Sequence, residues 1–149
     1  MTDSLEALIV RPSYRQFYLR RGAAEWRSEQ ISDSGYAAGV EAIEGFVYVG
    51  TTMYGSPTRL SILTHSSDPG LSASAEREAE FLLTGAGDLA VLNWDPDEPA
   101  VAEVSLPSGS LLARLNWYGT ATALAHPDCD VGGDDLSPEY LVLDLWPAE

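Results

Sequence analysis

The sequence contains no lysine, only one cysteine and no long apolar run, and the last two features exclude whole classes of structure. All eight basic residues among its 149 are arginines. The single cysteine, Cys129, cannot form an intramolecular disulfide or a multi-cysteine metal site. No apolar run approaches the roughly 20 residues that a membrane-spanning helix needs. The N-terminal stretch carries Asp3 and Glu6 instead of the basic region of a signal peptide. We therefore expect a cytoplasmic protein.

The chain also lacks the motifs of nucleophilic and phosphate-transfer chemistry. It contains no Gly-x-Ser-x-Gly sequence, and Gly85-Ala86-Gly87 is too short for a phosphate-binding loop and joins two predicted strands. Cys129 lies between Asp128 and Asp130, whose negative charges disfavour the reactive thiolate. Paired carboxylates could serve glycoside hydrolysis, but the sequence alone does not show which carboxylates lie close together in the fold. We predict no catalytic residues and no cofactor, and keep a hydrolytic or metal-dependent enzyme as the less favoured alternative.

Two features raise the question of a metal site. Aspartates surround a glycine pair in the stretch 128–135, an arrangement that resembles loops in which oxygen ligands bind calcium. Their spacing does not match the twelve-residue calcium loop, and no bidentate glutamate ends it. His65 and His126 stand apart, and no local spacing pairs them as zinc ligands with Cys129. We interpret the acidic stretch as an exposed loop and both histidines as surface loop residues, and predict no metal site.

Charge is distributed unevenly along the chain. There are 23 acidic and 8 basic residues, a net charge of −15. Residues 1–65 hold 7 acids and 6 arginines, whereas residues 66–149 hold 16 acids and 2 arginines. A field of this sign repels nucleic acid and acidic membranes and attracts basic partners. A surface that serves only solubility is the alternative interpretation.

Alternating apolar residues separated by turn signals predict a chain of short strands. The segment 75–119 shows the pattern most clearly. Its runs 81–83 and 89–91 flank a glycine turn, and the runs 101–106 and 111–118 flank a Pro-Ser-Gly turn. We predict a four-strand meander here. For the whole chain we predict an all-β fold, an antiparallel β-sandwich of about eight to nine short strands.

The remaining segments fit a single domain over residues 1–149. A strand is predicted from Tyr14, with Phe17 and Leu19 on its inward face. The segment 23–38 is polar and predicts an irregular connector, with Trp26 closing the end of the core. The stretch 121–138 is predicted to be a long acidic loop.

Aromatic residues beside acids suggest a surface for a basic partner. Trp94 precedes an acidic turn, and an aromatic ring rimmed by carboxylates suits the docking of arginine or lysine. Trp117 and Trp146 are instead expected to fill the core. The predicted partner-binding residues are Trp94, Asp95, Asp97, Glu98, Asp128, Asp130, Asp134 and Asp135.

Several short segments occur in a characteristic order between residues 5 and 148. They are Ser13-Tyr14-Arg15-Gln16-Phe17, Trp26, Gly35-Tyr36-Ala37-Ala38, Phe81-Leu82-Leu83, Leu106-Pro107-Ser108-Gly109 and Trp146-Pro147-Ala148. In this order they resemble the competence protein J family, known for inhibiting a nuclease that acts on entering DNA. The resemblance implies a small β-rich inhibitor and supplies no catalytic residues.

The favoured hypothesis is therefore an acidic inhibitor, or an immunity protein, that blocks a basic nuclease or toxin and binds neither nucleic acid nor membrane. A small-molecule or carbohydrate-binding β-sandwich module is the alternative. Such a module would use Tyr14, Tyr18, Trp94 or Trp117 as stacking platforms.

Overall fold

The computed structural model describes residues 2–148, and the side chains from Leu5 to Ala148. Within these residues, ten strands form two sheets and the helices are few and short. The strands are β1 (Thr2–Val10), β2 (Gln16–Arg21), β3 (Val40–Ile43), β4 (Phe46–Gly50), β5 (Thr58–His65), β6 (Arg77–Leu83), β7 (Leu89–Leu92), β8 (Ala102–Val104), β9 (Leu111–Tyr118) and β10 (Tyr140–Pro147). The helices are α1 (Asp33–Ala38) and α2 (Thr120–Leu124), with a 3-10 turn at Ser28–Gln30.

Each sheet has five strands. The first sheet has the order β1-β5-β10-β9-β6 and the second the order β3-β4-β2-β7-β8. All neighbouring strands are antiparallel except β5 and β10, which run parallel. The prediction of a β-rich chain with little helix is confirmed, with ten strands where eight to nine were expected.

The main core is built from both sheets. Alternate residues point to the same face of a strand, so Leu141, Leu143 and Leu145 of β10 share one face. They belong to one buried cluster with Phe17 and Leu19 of the second sheet. The inward assignment of Phe17 and Leu19 is thus confirmed, although β2 begins at Gln16 and not at Tyr14.

A second apolar cluster covers the other face of the second sheet. Tyr18 alternates with Phe17 and Leu19 along β2, and its ring packs against Trp26 and Phe46 at centroid distances of 4.8 and 5.2 Å. The segment 23–38 is therefore a cover for this face, with a 3-10 turn and a helix of six residues. Trp26 lies in that cover and does not close the end of the main core.

The prediction of a four-strand meander is wrong. Among the four strands from β6 to β9, β7 pairs with β8 in the second sheet, whereas β6 pairs with β9 in the first. The glycine turn and the Pro-Ser-Gly turn are therefore crossings between sheets. Buried Arg21 holds both crossings, because its guanidinium donates to the carbonyl oxygens of Gly87, Pro107 and Gly109 at 3.2, 2.7 and 2.6 Å.

Within the part of the chain that the structure describes, no helix is both long and apolar enough to cross a membrane.

Candidate functional site

A strained two-residue turn precedes β2. Ser13 and Gln16 exchange two backbone hydrogen bonds of 3.1 Å, and Tyr14 and Arg15 between them have φ angles of 54° and 64°. Hairpin turns with positive φ at both central residues normally use Asn and Gly, because a Cβ is unfavourable there. A tyrosine and an arginine are thus held in left-handed backbone at the surface. Such strain is concentrated at functional sites.

Tyr14 is the centre of an aromatic cluster, which we define as Tyr14, Tyr54 and Trp94. The ring of Tyr14 lies 5.2 Å from that of Tyr54 and 4.9 Å from that of Trp94. Tyr14 is 56% exposed and Trp94 39% exposed, so both rings present apolar surface to solvent. No pattern in the sequence indicates that Tyr54, in the turn after β4, joins them.

The first acidic loop (residues 93–98) continues directly from Trp94. The carboxylate of Asp95 accepts a hydrogen bond of 2.9 Å from the backbone N–H of Asp97, which fixes the turn. Asp97 and Glu98 are exposed and Asp95 is half-buried. The backbone N–H of Arg11 donates to the Asn93 side chain at 3.0 Å and ties the loop to the end of β1.

The second acidic loop (residues 125–138) contacts the strained turn through Arg15. The Arg15 guanidinium donates to the backbone oxygen of Thr52, to that of Cys129 at 3.3 Å and to Asp130 Oδ1 at 2.5 Å. The Tyr54 N–H also donates to the Cys129 oxygen at 2.8 Å. Both acidic loops therefore contact the segment Tyr14-Arg15, one through each residue.

The predicted partner-binding residues divide into two groups. Trp94 contacts Tyr14, and Asp130 pairs with Arg15, so these two lie beside the strained turn. Asp134 and Asp135 are exposed further along the second loop, and the half-buried Asp128 lies against Gly133. Arg15 is the second residue absent from the predicted set, because the sequence places it in a regular strand that starts at Tyr14. The left-handed turn redirects it toward the second loop.

Of the two histidines, His126 lies in a loop as predicted and His65 does not. His65 is buried at the end of β5, where its Nε2 lies 2.7 Å from Asp144 Oδ1, so its assignment to a surface loop is wrong. His126 is in the second acidic loop, and its Nδ1 accepts a hydrogen bond of 3.0 Å from the Asp128 N–H. Among the described side chains, no three His, Cys, Asp or Glu residues converge as metal ligands.

Two of the proposed stacking platforms are buried. Trp117 is fully enclosed in the main core, as expected, and its Nε1 donates to the Gly50 oxygen at 2.9 Å. Tyr18 is 3% exposed, and burial raises its pKa to about 12, with the nearby Tyr36 and Tyr48 adding to the shift. Trp146 is also buried, but it lies outside the main core cluster, with the Arg114 guanidinium 4.8 Å from its ring centre.

Comparison with solved structures identifies the architecture. The chain has the fold of ComJ. That protein, from Bacillus subtilis, is the inhibitor of the DNA degrading activity of NucA. The match has a TM-score of 0.71 at 13% identity and covers 99% of each chain. A crocagin biosynthetic protein, the product of gene J, matches with a TM-score of 0.67 at 14% identity over 98% of each chain.

No protein-family model and no curated protein matches the sequence. The resemblance to competence protein J is thus confirmed as a likeness of structure. At these identities the likeness concerns the fold, and the contacts described above belong to this chain alone.

Proposed function

We propose that this protein is a single-domain, cytoplasmic β-sandwich inhibitor that binds and blocks a basic protein of the nuclease or nuclease-toxin class. The aromatic cluster and the two acidic loops form the binding surface. The observation that carries the proposal is their junction at the strained turn, where exposed rings lie between two sources of carboxylates. The ComJ fold supports the inhibitory role, since ComJ itself inhibits a nuclease.

The chemistry of the surface suits a nucleic-acid-binding cleft. Such a cleft presents arginines and lysines to phosphates, and carboxylates at similar positions attract the same groups. The exposed rings of Tyr14 and Trp94 add apolar area at the centre of the surface, where aromatic residues contribute most to affinity. Carboxylates around them would contribute mainly to the rate of association and to specificity.

The same surface suits a small ligand less well. The depression beside Trp94 has a volume of about 280 Å³ and is lined by Arg11, Ser13, Asn93, Trp94, Asp95 and Glu98. Small-molecule pockets are usually larger and mostly apolar. Tyr14 already packs against Trp94, and Tyr18 and Trp117 are buried, so few platforms remain for a planar ligand. No second function is proposed.

The test begins with capture of the partner. The purified protein is immobilised at low ionic strength, exposed to lysate of its source cell and eluted with a rising salt gradient. We expect a basic protein with nuclease activity to elute with salt, since exposed charge pairs are screened. Adding the purified protein back should suppress that activity. Failure to retain any basic protein, or retention without inhibition, would contradict the proposal.

A matched pair of variants then tests the surface. Asp95→Asn/Asp97→Asn/Glu98→Gln removes three carboxylates beside the aromatic cluster. Glu29→Gln/Glu78→Gln/Asp88→Asn removes the same charge at exposed positions elsewhere, and serves as the control. The first triple should slow association with the captured partner at least about tenfold, whereas the control should change it little. Equal effects would show that only total charge matters.

A further inference from the structure

The two open sheets have four outer edges within the described residues, and three of these edges are poorly suited to pairing. Strands β3 and β8 have only four and three residues. Strand β6 presents exposed Glu78 and Glu80. Short edges and charged edges are the usual means by which proteins prevent pairing with other chains.

Strand β1 is different. It has nine residues, and β5 is the one strand that pairs with it in the described part of the chain. Leu5 and Ile9 are 60% and 54% exposed, and Ala7 between them is exposed on the same face. From Leu5 to Val10 only Glu6 is charged. An apolar groove of about 460 Å³ follows the join of this strand with β5, beside Ala7, Ile9 and Ser61.

The order of residues in β1 is self-complementary. If two copies of β1 pair antiparallel about Ala7, Leu5 of one copy lies opposite Ile9 of the other, and the two Ala7 residues face each other. Directly opposite Cβ atoms in such a pair are about 5 Å apart, close enough for apolar side chains to pack. Shifting the register by two residues in either direction sets Leu5 opposite Ala7 or opposite the charged Arg11.

The charge distribution also favours a second copy of this chain as the partner of the β1 edge. Residues 1–65 carry a net charge of −1, from 7 acids and 6 arginines, whereas the acids are concentrated in residues 66–149. At the edge itself, the side chains described in β1 and β5 include one acid, Glu6, and one arginine, Arg59, so this edge exerts little attraction on a basic partner and little repulsion on a second copy. We propose that this protein forms a two-fold dimer through antiparallel pairing of β1 with β1 of a second copy. The two first sheets would join into one continuous sheet of ten strands.

The first test is the association state of the full chain, measured by analytical ultracentrifugation over a wide range of concentration. The wild type should show a concentration-dependent dimer. Leu5→Lys/Ile9→Lys should raise its dissociation constant roughly a hundredfold, because apolar area is replaced by facing charges. Leu82→Lys is the control, since Leu82 is 47% exposed on β6, the opposite edge of the same sheet. It should leave the dissociation constant unchanged.

Cysteine substitution tests the register without weakening the strand. Ala7→Cys should form a covalent dimer on oxidation, because the two Cα atoms would lie within disulfide range. Leu5→Cys alone should not, whereas a mixture of Leu5→Cys and Ile9→Cys chains should cross-link. The native Cys129 is buried, so we expect it not to form a disulfide between chains under the same conditions.

Three results would overturn the dimer. They are a monomer at every concentration, a dimer insensitive to Leu5→Lys/Ile9→Lys, and cross-linking of Leu5→Cys chains as efficient as that of Ala7→Cys chains. If the wild type is monomeric and the double lysine variant instead loses capture of the basic partner, the edge binds a strand of that partner.

Discussion

At the scale of single residues, the strained turn is the feature that the fold does not require. A left-handed backbone costs a residue with a side chain roughly 1–2 kcal/mol, and Tyr14 and Arg15 adopt it in succession. Arg15 recovers part of this cost through its contacts with Thr52, Cys129 and Asp130. The Tyr14 ring packs against the exposed ring of Trp94 and the half-buried ring of Tyr54, and the proposed binding role would give its strain a function.

Tyr14→Asn separates binding from stability. Asparagine adopts the left-handed region readily, so the relief of strain should offset the loss of the ring contacts. We expect the free energy of unfolding, measured by urea denaturation, to change by less than about 1 kcal/mol. Affinity for the basic partner should fall at least about tenfold. An affinity equal to that of the wild type would remove Tyr14 from the interface.

Glu139 is a buried carboxylate that orders the backbone next to the candidate site. Its oxygens accept hydrogen bonds from the Thr52 N–H at 2.8 Å, the Thr52 hydroxyl at 2.7 Å and the Thr120 hydroxyl at 2.8 Å. Thr52 is also the residue whose backbone oxygen Arg15 contacts. The carboxylate therefore fixes both the start of the turn that carries Tyr54 and the start of α2.

Glu139→Gln should destabilise the protein by about 1–3 kcal/mol, since the neutral amide weakens the charge-assisted hydrogen bonds and its NH2 group cannot accept from the Thr52 and Thr120 hydroxyls. Urea denaturation measures the loss. Glu103→Gln, at an exposed position on β8, is the control and should change stability by less than about 0.5 kcal/mol. Equal stability of the two variants would mean that Glu139 is not needed to order this region.

At the scale of elements, buried Arg114 of β9 fixes the loop between β5 and β6. Its guanidinium donates to Asp68 at 3.0 and 3.2 Å, to Glu80 at 2.8 and 3.1 Å, and to the Gly70 oxygen at 3.0 Å. The Arg114 hydrogen bonds, and then that from the Gly70 N–H, hold the pKa of Asp68 below its usual 3.8. The loop is thus fastened over the outer face of the first sheet by a carboxylate that must be ionised.

Acid should release this loop. Because the pKa of Asp68 is lowered by folding, its stabilising effect is complete above pH 3.8 and is lost as the pH falls through the lower folded value. Melting temperatures of the wild type and Asp68→Asn should differ at neutral pH and converge below that range. Asp68 is exposed, so the difference should be small. If the two melting temperatures differ as much in acid as at neutral pH, the stabilising effect of Asp68 comes from packing and not from its charge.

The elements also show how far sequence reasoning reaches. Alternation located the strands of segment 75–119 well, because a half-buried strand has the same period whatever its neighbour. The sequence could not predict which strands pair with each other, since a glycine turn is equally suitable for a hairpin and for a crossing between sheets. The crossing depends on Arg21, which buries its charge against three carbonyl oxygens more than sixty residues away in sequence. No local pattern reports such a contact.

The residues of the proposed surface differ in the same way in what the sequence shows of them. Trp94 and the acids around it are adjacent in sequence, so their chemistry could be read directly. Tyr54 and Arg15 join them through features that no local pattern shows. One is the left-handed turn at Tyr14 and Arg15, a conformation that these residue types rarely adopt. The other is the hydrogen bond from Arg15 to the Cys129 oxygen, which spans 114 residues. Exposure of Trp94 is likewise a property of the folded chain, as the burial of Trp117 shows.

At the scale of the whole molecule, the two proposed binding surfaces differ in charge. The β1 edge belongs to residues 1–65, which carry a net charge of −1, whereas the carboxylates of both acidic loops belong to residues 66–149, which carry −14. Capture of the basic partner should therefore weaken steeply with salt, and pairing through β1 should not. Measuring both associations across the same salt series checks this. A parallel loss of both would contradict the separation.

The most direct test of the central claim is inhibition of the captured nuclease by three forms of this protein: the wild type, Asp95→Asn/Asp97→Asn/Glu98→Gln, and Glu29→Gln/Glu78→Gln/Asp88→Asn. If the aromatic cluster and the acidic loops form the inhibitory surface, the first triple variant needs at least about tenfold more protein for half-inhibition, and the second inhibits like the wild type. Equal inhibition by all three forms would contradict the account.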